Sequence, residues 1–210
     1  MAKRSIPEVN AGSMADIAFL LLIFFLVTTT IEQDNGITRK LPRWEDVPQE
    51  EPVVIKEKNI FKVVVNKEDK MLVEDVPMEL KDLRKAAIEF IDNGGGASAE
   101  GDKCDYCQGA RSAESSDHPS KAIIALKNDR ETSYSVYVAI QNELGAAYTE
   151  LRNREAVRLY GAGNSYTFMN SRFKDPKVKD AVLKEKLDTR LKKLKGMYPQ
   201  FISEVDSKTN

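Results

Sequence analysis

An almost unbroken apolar run, MADIAFLLLIFFLVTTTI, occupies residues 14–31 and divides the chain into two regimes. As a helix, about 18 residues extend roughly 27 Å, close to the roughly 30 Å thickness of the hydrocarbon core of a bilayer. The run therefore predicts one transmembrane helix. From Glu32 onward the chain has the charged composition of a water-soluble protein.

Two basic residues, Lys3 and Arg4, precede the run and set its predicted orientation. The positive-inside rule keeps residues 1–13 in the cytoplasm and places the rest of the chain across the membrane, which in a bacterium means the periplasm. The predicted location is the bacterial inner membrane, crossed once. A cleaved signal peptide is the alternative, but no Ala-x-Ala-like site follows Val27 and an acidic residue stands where the apolar core should begin.

That acidic residue, Asp16, is the candidate functional residue of the predicted span. A carboxylate inside a transmembrane segment costs several kcal/mol and needs compensation. One interpretation places Asp16 at the cytoplasmic interface, solvated or paired with a neighbouring chain. The other makes it a proton carrier, because burial favours the protonated form of a carboxyl group and a change of surroundings can release the proton.

Small residues surround the acid and allow close approach of another helix. They favour a helix packed inside an oligomer, although small residues are also common in membrane helices. The residues predicted to pack around Asp16 at helical spacing are Gly12, Ser13, Ala15, Phe19, Leu20 and Ile23. At the far end, Thr28 and Thr29 either line a polar path or bond their own preceding carbonyls.

The soluble part begins with a polar linker at residues 32–57, whose three prolines favour a stretched tether. Docking of this segment on a strand edge is the alternative. Residues 58–165 are predicted to form a small α+β domain. Its predicted elements are a hairpin at 59–65 and 71–76, a helix at 79–91, a strand at 121–127, a helix at 134–151 and a closing strand at 156–160.

Within this domain, residues 94–120 are rich in Gly, Ala, Ser and charge, and they are predicted to form a mobile surface insert. Cys104 and Cys107 in the insert are compatible with a redox pair, half a zinc site or a local disulfide, and an oxidising periplasm favours the disulfide. No metal site or cofactor is predicted, since zinc would need two more ligands and His118 is the sole histidine. No enzymatic motif appears elsewhere.

The chain ends in a predicted charged helical extension, residues 166–210. Its apolar residues recur at helical spacing among many lysines and predict a C-terminal amphipathic helix. They are Val178, Val182, Leu183, Leu187, Leu191 and Leu194. The basic face is either simply solvated or contacts peptidoglycan, the membrane surface or a partner. Because basic and acidic residues nearly balance over the whole chain, 32 against 33, nucleic acid is not expected as a partner.

Over residues 6–160 the chain resembles the ExbD/TolR family. The segments that carry the resemblance are IPEVN at 6–10, SMADIAFLLLIFFLVT at 13–28, LP at 41–42, FKVVVN at 61–66 and MLVEDVPM at 71–78, followed by the helix-like 79–91. The resemblance implies a subunit of a proton-driven motor. In it an ExbD-like dimer threads its helices through a ring of ExbB-like multi-span subunits, with Asp16 at the position of the proton-carrying aspartate.

The resemblance further implies that the periplasmic domain passes work to a TonB-like transducer, which powers outer-membrane transport, and that the chain is not an enzyme. A TolR-like role in envelope integrity, through a TolA-like transducer, is the related alternative. A membrane-anchored scaffold that holds peptidoglycan is the more distant one, and in it Asp16 would be incidental. The insert and the extension both depart from the family pattern.

Overall fold

The computed structural model describes residues 11–28, 55–98 and 100–205. Helix α1 belongs to one compact unit and the other elements belong to a second. The helices are α1 (Ala11–Thr28), α2 (Leu80–Ile91), α3 (Tyr134–Tyr160), α4 (Tyr166–Lys174) and α5 (Ala181–Met197), with one 3-10 turn at Glu57–Asn59. The strands are β1 (Ile60–Val65), β2 (Met71–Val73), β3 (Val76–Pro77), β4 (Ile123–Asn128) and β5 (Ile202–Glu204).

Helix α1 coincides with most of the predicted span, whose last residues, 29–31, lie outside the described residues. Most of the predicted cytoplasmic segment and most of the predicted linker also lie outside them. Among the residues that the structure describes, no helix has the length and apolar character needed to cross a membrane.

The strands form one mixed sheet in the order β3-β2-β1-β4-β5. The predicted hairpin is confirmed, since β1 and β2 pair antiparallel with Val63 opposite Val73. Strand β4 runs parallel to β1, and β5 runs parallel to β4. Two parallel strands need a long crossover connection between them. Helix α2 and the insert lie in the connection from β1 to β4, and helices α3 to α5 form the connection from β4 to β5. The prediction of a small α+β domain is confirmed.

One face of this sheet carries the main hydrophobic core. Side chains alternate along β1, so that Phe61, Val63 and Val65 are buried on the same face. Helices α2 and α3 cover that face through residues such as Leu83 and Leu144, which are fully buried. Burial of each such side chain stabilises the fold by about 1.5–3 kcal/mol.

The predicted closing strand at residues 156–160 is wrong, because these residues form the last turns of α3. The helix ends at Gly161, where φ is +86° and the amide donates to the Val157 carbonyl. A positive φ costs glycine little, so the sequence does contain a stop signal, one position after the predicted strand. Strand β5, which the sequence analysis does not predict, takes the edge position beside β4.

Residues 166–210, predicted as an extension of the domain, contribute directly to its fold. Helices α4 and α5 pack on the second half of α3 around a smaller core, whose buried members are Ala156, Tyr166, Met169, Leu187, Leu191 and Leu194. Ser165 and Asp180 cap the two helices by accepting from the Phe168 and Leu183 amides. With β5 joining the sheet, the predicted boundary at residue 165 does not separate two structural units.

The insert at 94–120 also differs from the prediction of a mobile loop, because it is fastened to the domain by polar contacts. The Asn93 amide group donates to the carbonyls of Ser112 and Ser116, at 2.9 and 2.7 Å. Gly94 adopts a φ of +62°, and a Cβ there would lie 2.7 Å from the Cβ of Cys107. The glycines therefore allow close approach of backbones, which helps an insert with few large apolar residues to pack against the domain.

Candidate functional site

Asp16 lies in the second turn of α1, and its side chain is exposed. Helical periodicity places Gly12 one turn before it and Leu20 one turn after it on the same side. Five of the residues predicted to pack around the acid lie on this helix and are exposed: Gly12, Ala15, Phe19, Leu20 and Ile23. The structure thus places these residues on one helix, and their packing around Asp16 stays a prediction.

The remaining predicted residues of this site are only partly described. Ser13 and Thr28 lie within α1, but their side chains are outside the described part, and Thr29 is outside it altogether. Their roles in packing and in a polar path stay predictions.

Helix α1 presents large apolar side chains around its circumference. They are Met14, Ile17, Phe19, Leu20, Leu21, Leu22, Ile23, Phe24 and Phe25, each between 41% and 63% exposed. At about 25 cal/mol for each Å² of apolar surface, leaving this helix in water costs many kcal/mol, so the surface requires apolar surroundings. Asp16 is the one ionisable side chain in the α1 sequence.

In the folded unit, Asp92 at the end of α2 forms a buried cluster with Arg154 and Tyr198. Both terminal nitrogens of Arg154 donate to the Asp92 carboxylate at 2.7 Å. The Tyr198 hydroxyl donates to Asp92 Oδ1 at 2.8 Å and accepts from Arg154 Nη2 at 2.8 Å. The Gln108 amide donates to Asp92 Oδ2 at 3.1 Å, so the cluster joins α2, the insert, α3 and the end of α5.

Electrostatics keep the partners of Asp92 in their donating forms. The hydrogen bond to Asp92 raises the pKa of Arg154. Burial raises the pKa of Tyr198, which has no exposed surface. At neutral pH the guanidinium is therefore charged and the phenol protonated, and a fixed pair of this kind holds elements together rather than exchanging protons.

A second buried carboxylate, Asp117, anchors the insert to the start of β1. Lys58 Nζ lies 2.6 Å from Asp117 Oδ1, and the Asn59 side chain donates to Oδ2 at 3.2 Å. The Asp117 amide in turn donates to Asn59 Oδ1 at 2.8 Å. Burial alone would raise the pKa of Asp117, but the hydrogen bonds and the charge of Lys58 outweigh it and leave this pKa below its usual value.

Next to Asp117, a cavity of about 570 Å³ opens between the first described residues of the folded unit and strand β5. Its wall includes the apolar side chains of Ile55, Ile123 and Phe201, with Lys56 and Lys121 among its polar residues. Strand β5 lies at the edge of the sheet.

One comparison with known proteins decides the family. The sequence model of the family described as biopolymer transport protein ExbD/TolR matches residues 2–154. The chain belongs to the ExbD/TolR family. No curated protein matches the sequence. Proteins of the ExbD/TolR family take part in the transport of biopolymers and are not enzymes.

The ExbD/TolR match spans α1 together with β1 to β4 and ends inside α3. Asp16 and Asp92 both fall within it, and Arg154 is the last matched residue. Helices α4 and α5 and strand β5 lie beyond it. The ExbD/TolR match therefore does not cover Tyr198, although that residue completes the Asp92 cluster.

The predicted cysteine pair forms a disulfide, Cys104–Cys107, whose two residues are almost fully buried in the insert. His118 bonds its own loop instead of the cysteines, with Nδ1 2.8 Å from Ser120 Oγ. Over residues 11–28, 55–98 and 100–205, no three His, Cys, Asp or Glu side chains are grouped so that they could hold a metal ion.

Nothing local in the sequence marks Asp92, Asp117 or their partners as a site. Asp92 and Arg154 are 62 positions apart, and Asn59 and Asp117 are 58 apart, so no local spacing joins them. The weak signal was an acidic residue directly after the apolar run of α2. An acidic residue at that position is equally typical of a helix end that is simply solvated.

Proposed function

We propose that the chain is the ExbD-like subunit of a motor that uses the proton-motive force to drive TonB-dependent transport across the outer membrane. The observation that carries the proposal is the extent of the family match, which includes the helix bearing Asp16 and most of the folded domain. A membrane-anchored scaffold that holds peptidoglycan would need the folded domain but would not need Asp16.

In this proposal residues 14–31 anchor the chain in the bacterial inner membrane, residues 1–13 are cytoplasmic and the folded unit is periplasmic. The apolar surface of α1 supports the anchor, since it needs lipid or protein around it. The Cys104–Cys107 disulfide supports an oxidising compartment for the folded unit. The predicted linker, residues 32–57, joins the two, and its last residues, Ile55 to Glu57, already lie in the folded unit.

Asp16 takes up and releases a proton as the surrounding chains move relative to α1. Each proton that crosses supplies about 2.3 kcal/mol per 100 mV of membrane potential, which is enough to bias a conformational equilibrium. Gly12, Ser13 and Ala15 would let helices of an ExbB-like ring and of a second copy of this chain approach the acid closely. Thr28 and Thr29 would extend the polar path.

The folded unit passes the resulting movement to a TonB-like transducer. The cavity beside β5 is the surface that we assign to this contact, because its apolar wall at Phe201 and Ile123 would receive apolar side chains of the transducer. The chain itself makes and breaks no covalent bond in this scheme.

The variant that tests the proposal is Asp16→Asn, with Asp82→Asn as its matched control. Asn is close in size to Asp but cannot carry the proton, so uptake through a TonB-dependent receptor should fall to the level of a strain without the chain. Asp82 is exposed on α2 and should tolerate the same change. Immunoblots of membrane fractions must show equal amounts of all three proteins, and full uptake by Asp16→Asn would refute the proton-carrying role.

The same strains separate an ExbD-like role from a TolR-like one. Loss of receptor-mediated uptake with normal resistance to detergents and bile salts is expected for the ExbD-like role. Detergent sensitivity with normal uptake would assign the chain to envelope maintenance instead. Purification in a mild detergent should also recover an ExbB-like multi-span protein with the chain, and a chain recovered alone as a monomer would count against the motor.

A further inference from the structure

The C-terminal helices carry a concentrated positive charge that the family match does not explain. Residues 166–197, which include α4 and α5, contain ten basic and four acidic side chains, although the chain as a whole has a net charge of −1. The rest of the chain is therefore acidic. All of these residues lie beyond the matched segment.

This charge lies on the outward side of α5 and in the segment before it. Leu187, Leu191 and Leu194 bury one side of α5, whereas Lys186 and Lys193, seven residues apart on a flank of the helix, are exposed. We define the basic surface as the exposed residues Arg172, Lys174, Lys177, Lys179, Lys186 and Lys193. Val182 is on the same side of α5 as these two lysines and is 76% exposed.

The lysines of the basic surface differ in their neighbours from three lysines elsewhere on the folded unit. Lys67, Lys81 and Lys85 each lie within 4.0 Å of a glutamate. In the part of the chain that the structure describes, no side chain of the basic surface lies within ion-pair distance of a carboxylate. A local excess of charge of one sign favours the binding of an external anion.

We propose that the basic surface binds the anionic phospholipid headgroups of the membrane that anchors the chain, an inference that rests on the anchoring in the proposed function. A bilayer presents many phosphates on one broad surface, which suits cations spread over two helices and a loop. Because the proposed anchor and the basic surface belong to one chain, docking on that bilayer would be intramolecular. Each lysine near such a surface contributes about 1 kcal/mol, or about fivefold in affinity.

Docking of the folded unit on the bilayer would compete with its reach towards the outer membrane. Under the proposed function, the docked state is then a resting state, which a transducer or peptidoglycan contact must release. Because the attraction is electrostatic, the balance between the two states depends on ionic strength and on the anionic lipid content.

The test measures lysine acetylation by mass spectrometry on the full chain in nanodiscs of zwitterionic lipid or of lipid with one-third phosphatidylglycerol. Lys177, Lys186 and Lys193 should react at least about fivefold more slowly in the anionic discs, whereas Lys67, Lys81 and Lys85 should react equally in both. Salt at 0.5 M should remove the difference. Equal reaction of the basic surface in both lipids at low salt would overturn the inference.

Two triple variants control for folding and total charge. The first variant replaces Lys177, Lys186 and Lys193 by Gln and should remove the protection of Lys174 and Lys179. The second replaces Lys67, Lys81 and Lys85 by Gln and should keep that protection. Protection that survives the first variant, or that needs soluble peptidoglycan fragments instead of anionic lipid, would also overturn the inference. A chain that does not insert into the discs would refute the membrane anchoring of the proposed function but not the binding of anionic headgroups. In that case, co-sedimentation of the chain with anionic but not zwitterionic vesicles would support headgroup binding by the basic surface.

Discussion

The buried carboxylates of the folded unit are held by partners from distant parts of the chain. Asp92 receives hydrogen bonds from Arg154 and Tyr198, and Asp117 is held by Lys58 and Asn59. A buried charge that loses its partner still pays its cost of desolvation. Removing one member of such a pair therefore destabilises the fold by more than the pair contributes in net stability. These residues fix where the insert and the C-terminal helices sit on the sheet.

The change Arg154→Met should lower the free energy of unfolding by about 3 kcal/mol, since it leaves the Asp92 carboxylate, 5% exposed, without its counter-ion. Arg84→Met is the matched control, because Arg84 also makes two hydrogen bonds to a carboxylate, that of Glu143, but is 45% exposed. The control should lose about 1 kcal/mol or less. Urea unfolding measures both, and equal losses would show that burial of Asp92 does not set the cost.

Asp117 predicts how stability depends on pH. Because its pKa is lowered in the folded state, its pair with Lys58 contributes fully above the ordinary carboxyl pKa of 3.8, and that contribution is lost as the pH falls below this value. Asp117→Asn should therefore reduce stability at pH 7 and flatten its decline between pH 4 and pH 2. Unfolding curves over this range, with exposed Asp82→Asn for comparison, provide the measurement, and an unchanged decline would contradict the assignment.

At the scale of elements, close approach of backbones decides how the insert is held. A Cβ at Gly95 would collide with the Ser112 carbonyl oxygen, whereas a Cβ at Gly145, inside α3, would meet no atom within 4 Å. Gly95→Ala should thus destabilise the folded unit by about 1–3 kcal/mol, and Gly145→Ala should stabilise it by about 0.5–1 kcal/mol. Thermal unfolding of the two variants gives the signs directly, and stabilisation by Gly95→Ala would mean that the insert is not packed there.

The elements predictable from sequence are those whose apolar pattern is local. The alternation in β1 and the helical spacing of Leu83, Ala87 and Ile91 in α2 are visible in the sequence because each pattern records one buried face. Strand β5 has three residues and shows no such pattern, and it owes its place to pairing with β4. Residues 156–160 show β-branched and aromatic side chains, but the helix continues because α4 and α5 bury Ala156.

The candidate site shows the same division between local and distant information. Asp16 can be found from sequence because an acidic residue in an apolar run departs from its immediate surroundings. The Asp92 cluster cannot, because its members become neighbours only after the chain has closed on itself. The polar anchoring of the insert is missed for that reason, since composition alone indicates a loop without a core.

At the scale of the whole molecule, the fold needs residues beyond the matched segment. The match ends at residue 154, but Tyr198 is fully buried in the main core and its carbonyl accepts from Arg152 at 2.6 Å. Arg152 itself is 7% exposed, and burial lowers its pKa. The C-terminal helices therefore complete the family domain in this chain, and they carry the basic surface as well.

A chain that ends at residue 165 should consequently fail to fold cooperatively. The truncation removes β5 and Tyr198, and it leaves Asp92 and Arg152 buried with fewer partners or opened to water. Each unsatisfied buried group costs about 1–3 kcal/mol and each lost core side chain about as much, which together approach the 5–15 kcal/mol stability of a typical domain.

A chain that ends at residue 205 retains every described element and is the control. Urea unfolding followed by circular dichroism should show a sharp transition for the control and a broad, shifted one for the shorter chain. Coincident transitions would instead show that residues 55–165 fold without the C-terminal helices and that Tyr198 is dispensable to the core.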